Sequence, residues 1–275
     1  MKYILYFLVI ALVILFIYLL FANKHLTVKN YEFRSDLVTS PIRVVHLSDI
    51  HNDLFGKGNR NLIKKVKELR ADVIFITGDL IDSRRTNMDR GIHLVRELIK
   101  IAPIYYVSGN HEGRIKEYPY FEKKIKEEGV TVLNCEKTLY KCFNIYGLQD
   151  PGFYCKDKHH GKIAADEKLK QMDIIKDNEH INVLLAHRPH YFDIYCQYDL
   201  DYIFSGHAHG GQMRLPIVGG LYAPGQGILP KYDAGLYKKD HTTMILSRGL
   251  GNSLFPLRIF DDPQIITIEF KSVHD

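Results

Sequence analysis

The 275-residue chain is 46% hydrophobic and 25% charged, enough for one large globular domain or two small ones. Its net charge of +5 and pI near 8.8 are mildly basic, which suits an anionic surface or a phosphorylated substrate. No dense Lys/Arg stripe with interleaved aromatics is present, so nucleic acid is not an expected partner.

Residues 3–22 form an apolar run, YILYFLVIALVILFIYLLFA, with Lys2 before it and Lys24 and His25 after it. As a helix it would cover roughly 30 Å, the thickness of a bilayer's hydrocarbon core. We read residues 1–24 as a single-pass membrane anchor. The alternative is a cleaved secretory signal, but the run is long for one and no small-x-small cleavage site follows. Lys2 favours an internal N-terminus, whereas Lys24, Lys29 and Arg34 argue the other way. The reading adopted places the body of the chain outside the cytoplasm. Residues 25–40 read as a polar connector, and 41–275 as one domain.

Pro41 opens a strand over 42–47. Leu62, Ile63, Val66 and Leu69 repeat at helical spacing. The sequence VIFIT at 73–77 is continuous and apolar, as buried parallel strands are. A helix over 88–101, a strand over 104–107, a helix over 118–128 and strands over 130–133 and 144–147 follow. This alternation predicts a layered α/β sheet. A helix over 163–176 leads to strands over 182–185 and 202–204. Beyond Gly211, Gly and Pro become dense and helical periodicity fades. Short strands at 244–247 and 265–270 predict a second, more antiparallel sheet that completes a sandwich. The four cysteines, Cys135, Cys142, Cys155 and Cys196, match neither a redox pair nor a zinc ribbon. Buried thiols or a Cys135–Cys142 cross-link both fit.

Five short patches follow these elements: Asp49-Ile50-His51, Gly78-Asp79, Gly109-Asn110-His111-Glu112, Ala186-His187 and Gly206-His207-Ala208-His209. Taken singly, each has an ordinary explanation. An Asp after a strand is commonly a cap or turn residue, and a His-rich loop is often plain surface. Together they supply carboxylate, imidazole and carboxamide ligands from the ends of several strands. In α/β sheets such ends converge on one crevice, and paired metals held there activate water and hold a phosphate ester. The mixed N/O set suits Mn, Fe or Zn better than Ca.

In this order the patches resemble the calcineurin-like metallophosphoesterases, whose pattern runs D-x-H, G-D, G-N-H-[DE], a lone His, then G-H-x-H. The stretches 210–216 (GGQMRLP), 219–227 (GGLYAPGQG) and 247–251 (SRGLG) are similar to a membrane-associated bacterial phosphodiesterase branch, YaeI/YkuE-like. The resemblance covers about residues 42–270 and implies a four-layer α-β-β-α sandwich behind the N-terminal helix. It implies that Asp49, His51 and His209 bind one divalent metal, that Asn110, His187 and His207 bind a second, and that Asp79 bridges them. A metal-bridging hydroxide would then attack phosphorus. His111 would be the general acid, with Glu112 or Asp82 as helpers that keep it protonated.

Outside these patches, Arg248 lies in a Gly-flanked loop and can meet a substrate phosphate or form an interloop salt bridge. Tyr222, Tyr232 and Tyr237 read as core packing before substrate wall. The function expected is membrane-anchored hydrolysis of phosphodiester or pyrophosphate bonds, with lipid-linked or envelope esters as substrate. A phosphomonoesterase or nucleotide phosphatase is the nearest alternative. A tethered metal-binding protein without turnover is the third, disfavoured because every presumed ligand and His111 are intact.

Overall fold

The computed structural model describes residues 2–155, 157, 160–176, 178–252 and 255–274. Helix α1 (Lys2–Ala22) has a mean hydropathy of 3.2 and is long and apolar enough to cross a membrane; only its last turns are covered, through Leu19 and Ala22. Strand β1 (Thr27–Arg34) follows, then β2 (Ile42–Leu47), α2 (Arg60–Glu68), β3 (Val73–Thr77), α3 (Met88–Leu98), β4 (Ile104–Val107), α4 (Tyr118–Glu127) and β5 (Thr131–Val132). The second half contains β6 (Glu136–Tyr140), β7 (Phe143–Leu148), α5 (Gly161–Gln171), β8 (Ile181–Ala186), α6 (Phe192–Tyr195) and β9 (Tyr202–Ser205). Two small hairpins come next, β10 (Arg214–Leu215) with β11 (Gly219–Gly220), and β12 (Tyr222–Ala223) with β13 (Gly227–Ile228). Strands β14 (Gly235–Lys239), β15 (Thr242–Leu246) and β16 (Gln264–Lys271) complete the chain.

Two six-stranded sheets stack face to face, in the orders β1-β16-β2-β3-β4-β5 and β14-β15-β9-β8-β7-β6. Between them Val44, Phe75 and Val107 of one sheet meet Phe143, Val183 and Phe204 of the other. Helices α2, α3 and α4 cover the outer face of the first sheet through Leu62, Val95, Leu98 and Phe121. Helices α5 and α6 cover the second through Leu169, Phe192 and Tyr195. The result is the expected α-β-β-α order. Strand β3 is buried along its whole length because neighbours and layers enclose it on every side.

Three expectations are corrected. The stretch read as a connector holds β1, which pairs in parallel with β16 from Thr27↔Gln264 to Arg34↔Lys271. Its charged, half-exposed sequence is that of an edge strand rather than a linker. The second sheet is not mainly antiparallel: β7, β8, β9 and β15 run parallel, and only the edges β6 and β14 reverse. The strand expected near 265–270 to complete that sheet instead crosses to the first and lies antiparallel to β2. All four cysteines are free, partly buried thiols.

Candidate metal centre

Every ligand-bearing loop leaves the C-terminal end of a parallel strand. Asp49 and His51 follow β2, Asp79 follows β3, Asn110 and His111 follow β4, His187 follows β8, and His207 and His209 follow β9. The backbone turns sharply there. Asp49, His51, Asp79, His207 and His209 all have φ between 49° and 68°. That left-handed region costs a non-glycine residue on the order of 1 kcal/mol. Side-chain anchors hold the turns in place. The Asp49 carboxylate accepts the His207 N–H at 3.0 Å, and Asp79 Oδ1 accepts the His111 N–H at 2.8 Å. Glu112, fully buried, accepts three backbone N–H groups: Asp79 and Gly109 at 2.9 Å each, and Ile81 at 3.1 Å. Close approach needs glycine at two of these turns. A Cβ on Gly109 would overlap Asp79, and one on Gly206 would overlap Asp49 and Ser48.

The seven expected ligands meet. His51 Nε2 lies 3.2 Å from His209 Nε2 and 3.5 Å from Asp79 Oδ2, and His209 Nε2 lies 3.4 Å from Asp49 Oδ1. On the other side His187 Nε2 lies 3.2 Å from Asn110 Oδ1, 3.0 Å from His207 Nδ1 and 3.3 Å from Asp79 Oδ2. One oxygen, Asp79 Oδ2, therefore belongs to both groups. All seven side chains are buried.

These atoms fit cations rather than one another. His187 Nδ1 lies 2.8 Å from the Thr77 carbonyl, so it carries the proton of the neutral ring. Its Nε2 lone pair then points at an amide oxygen, a carboxylate oxygen and another imidazole nitrogen. His51 behaves alike: Nδ1 faces Asp82 Oδ2 at 3.3 Å and Nε2 faces the cluster. Acceptors that converge without donors between them are stable around positive charge. The local field says the same. Burial opposes charge on His187, but Asp79 and Asp49 raise its pKa to about 10. Burial raises the Asp49 carboxyl, whereas Asp79 is held well below the carboxylate range because His187 and His111 outweigh its burial. Burial and neighbouring positive groups hold His207 and His209 well below the ordinary imidazole pKa, which favours the neutral form that metal binding would require.

His111 stands beside the cluster, its ring centroid 4.6 Å from that of His51. Ser83 was not anticipated: its N–H and Oγ both lie 3.1 Å from His111 Nδ1. Asp82 Oδ1 is 3.6 Å from the same nitrogen. Burial disfavours the imidazolium, yet Asp79 and Asp82 outweigh it and raise the His111 pKa. Asp82, one of two helpers expected, is the one that faces the ring; Glu112 instead ties the loops together. Its carboxyl is pushed up to about 7 by burial and Asp79, against the pull of its backbone donors.

Arg248 Nε lies 3.8 Å from Asp261 Oδ1, at the limit of an interloop ion pair, and its neighbour Gly249 packs closely on Asp49. Tyr232 is buried and packs on Tyr237 at 5.0 Å, while Tyr222 is half exposed. The Thr77 carbonyl and Ser83 carry no sequence signal of their own beyond their places next to Gly78-Asp79 and Asp82.

The calcineurin-like phosphoesterase family profile matches residues 42–211. Among curated proteins the chain is 27% identical to the uncharacterized metallophosphoesterase YkuE of Bacillus subtilis, over 84% of this chain and 80% of that one. It is 25% identical to the phosphodiesterase YaeI of Escherichia coli, over 84% and 82%. A Danio rerio transmembrane protein with a metallophosphoesterase domain is 26% identical over 84% of this chain and 53% of its own length. Among solved structures, TT1561 of Thermus thermophilus superposes with a TM-score of 0.52 at 12% identity, covering 77% of this chain and 91% of that one, a likeness of fold. The paired ligand groups around Asp79 and the profile that spans them agree: the chain belongs to the calcineurin-like phosphoesterase family, metal-dependent ester hydrolases that work with two divalent cations.

Proposed function

We propose that this protein is a membrane-anchored phosphoesterase that cleaves phosphodiester or pyrophosphate bonds, with His111 as the general acid. Asp49, His51, His209 and Asp79 would hold one cation, and Asp79, Asn110, His187 and His207 the other. The cations, when bound, lower the pKa of water and neutralise the phosphoryl oxygens. Asn110 contributes a neutral oxygen, so its group carries less negative charge than that around Asp49.

The observation that carries the reading is the setting of His111. Ser83 N–H donates to Nδ1 of the neutral ring, which leaves the proton on Nε2. For the charged ring, the Ser83 hydroxyl oxygen at 3.1 Å is an acceptor beside Nδ1, with the Asp82 carboxylate 3.6 Å away as counter-charge. Nε2 carries a proton in both forms, and the charged form is the one that can give it to a leaving oxygen. Asp82 Oδ2 also lies 3.3 Å from His51 Nδ1, so one carboxylate stands beside both a proposed ligand and the proposed acid.

Anchoring by α1 supports substrates at the membrane, lipid-linked or envelope phosphate esters. The nearest alternative, a phosphomonoesterase, is separated by comparing bis- and mono-(p-nitrophenyl) phosphate on the manganese-loaded protein. Faster turnover of the diester is expected; turnover of the monoester alone refutes the diesterase reading.

A further inference from the structure

Among the described residues beyond α1, eight of the fifteen large exposed apolar side chains lie on three neighbouring segments, the others being scattered. Leu215, Ile217, Val218, Tyr222, Ile228 and Leu229 lie on the two small hairpins, and Ile217 is fully exposed at a tip. Its φ is 72°, a genuine outlier for a β-branched residue. Phe255 and Phe260 extend the patch from the loop before β16. Soluble surfaces rarely gather so many apolar groups without a partner.

These pieces are joined to one another and to α1. Leu229 N–H donates to Leu221 O at 2.9 Å, and Leu221 N–H to Met213 O at 2.8 Å. Arg214 N–H donates to Ile259 O at 2.9 Å, next to Phe260, whose ring centroid is 6.2 Å from that of Tyr18 on α1. The patch is therefore continuous with the helix.

The end of α1 is fixed to the body by a buried polar knot. Asn23 Oδ1 accepts the Asn252 amide at 2.6 Å and the Arg258 N–H at 3.2 Å. Arg258, fully buried, donates to Gly251 O at 2.6 Å, and Gly251 N–H donates to Asp49 O at 2.6 Å. Lys24 Nζ adds an ion pair with Asp53 at 3.3 Å. A helix held this way sets which face of the body meets the bilayer. That face bears the hairpins, which start directly after the His209–Gly211 turn of the metal centre.

We propose that the two hairpins and the 255–260 loop form a lipid-facing platform that dips into the bilayer surface beside α1. The occupant is the bilayer, because the patch runs without interruption from the helix that reads as its span. Apolar tips on a polar body are how surface-bound proteins enter the headgroup region. The platform holds the metal centre against the membrane, so amphiphilic esters reach it from the lipid phase. The proposal rests on the anchor reading of α1.

The chain contains no tryptophan, so a single introduced one reports alone. The full chain is reconstituted in phosphatidylcholine/phosphatidylglycerol vesicles with and without brominated acyl chains. Ile217→Trp, Tyr222→Trp and Ile228→Trp probe the platform, and Phe16→Trp probes the helix. Val273→Trp, past the Arg34–Lys271 end of the β1–β16 pair, is the far-side control; the strand alone separates it from α1 by ~23 Å. Hydrolysis of bis(p-nitrophenyl) phosphate by each variant checks that it is folded. Emission at the helix and the platform should be roughly halved by the brominated lipid, with the control unchanged. Quenching at Phe16→Trp without quenching at any hairpin position overturns the platform and leaves the anchor. No quenching at Phe16→Trp overturns the anchor reading and the platform with it. Equal quenching at Val273→Trp also overturns the platform.

Discussion

Glu112 is the residue whose removal tests the construction of the centre most directly. Its carboxylate is fully buried and accepts the N–H groups of Asp79, Ile81 and Gly109, which belong to two different strand-end loops. Glu112→Ala leaves three buried donors without partners. At about 1–3 kcal/mol for each unsatisfied group, and with water able to enter the space, the loss is about 3–6 kcal/mol. That is a large part of the roughly 5–15 kcal/mol that holds a typical domain folded. Glu112→Gln keeps one acceptor oxygen for Asp79 and Gly109 but turns an amide donor toward the Ile81 N–H, so it should cost about 1–3 kcal/mol. Chemical denaturation of the detergent-solubilised full chain, followed by circular dichroism, measures both. Metal content of the purified variants gives a second readout, because the same loops carry Asp79 and Asn110. Both variants should retain less manganese, Ala less than Gln. An Ala variant within about 0.5 kcal/mol of the parent, the range of an ordinary surface change, refutes the keystone role.

Four further outcomes follow from the same geometry. His111→Ala should slow esters with poor leaving groups far more than activated nitrophenyl esters, and equal losses on both would remove it as the acid. The raised His111 pKa means that the charged acid persists above 6.5 and is lost as pH rises through the raised value. The rate on a poor leaving group should therefore fall on the alkaline side, and Asp82→Asn should move that fall to lower pH in a pH–kcat profile. Gly206→Ala places a Cβ on Asp49 and Ser48, so metal analysis should find the ligand group around Asp49 depleted while the fold persists. Arg188 grips the buried Asp150 through two bonds of 2.6 and 2.9 Å. Arg188→Ala should cost about 3–5 kcal/mol in denaturation because it strands that charge.

What the sequence made legible follows from where the physics is local. Periodicity placed α2, α3 and α4 within a few residues, and the apolar runs placed β2, β3 and β8. Strand β1 was hidden because an edge strand with one exposed face reads like linker. Its partner β16 lies at the other end of the chain, and no local pattern announces a parallel pairing over that separation. The direction of the second sheet was hidden for a related reason. Pro- and Gly-rich loops look alike whether the chain reverses beside itself or crosses to another sheet, as it does before β16.

The centre was more legible than the fold around it, and the reason is geometric. A parallel sheet gathers the C-terminal ends of its strands, so ligand-type residues placed just past apolar runs have few ways not to meet. Asp49, Asp79, Asn110, His187 and His207 each stand within three residues of a strand end. What could not be read is the layer behind them. The proton on His187 is set by the Thr77 carbonyl, a backbone atom that any residue type would supply. Glu112 could be seen as an acid near His111, but its bonds run to the N–H groups of Asp79, Ile81 and Gly109, which only the folded loops bring together. Side chains that touch the chemistry are constrained in type and appear in sequence. The groups that aim them are constrained in position, and position is what the fold decides.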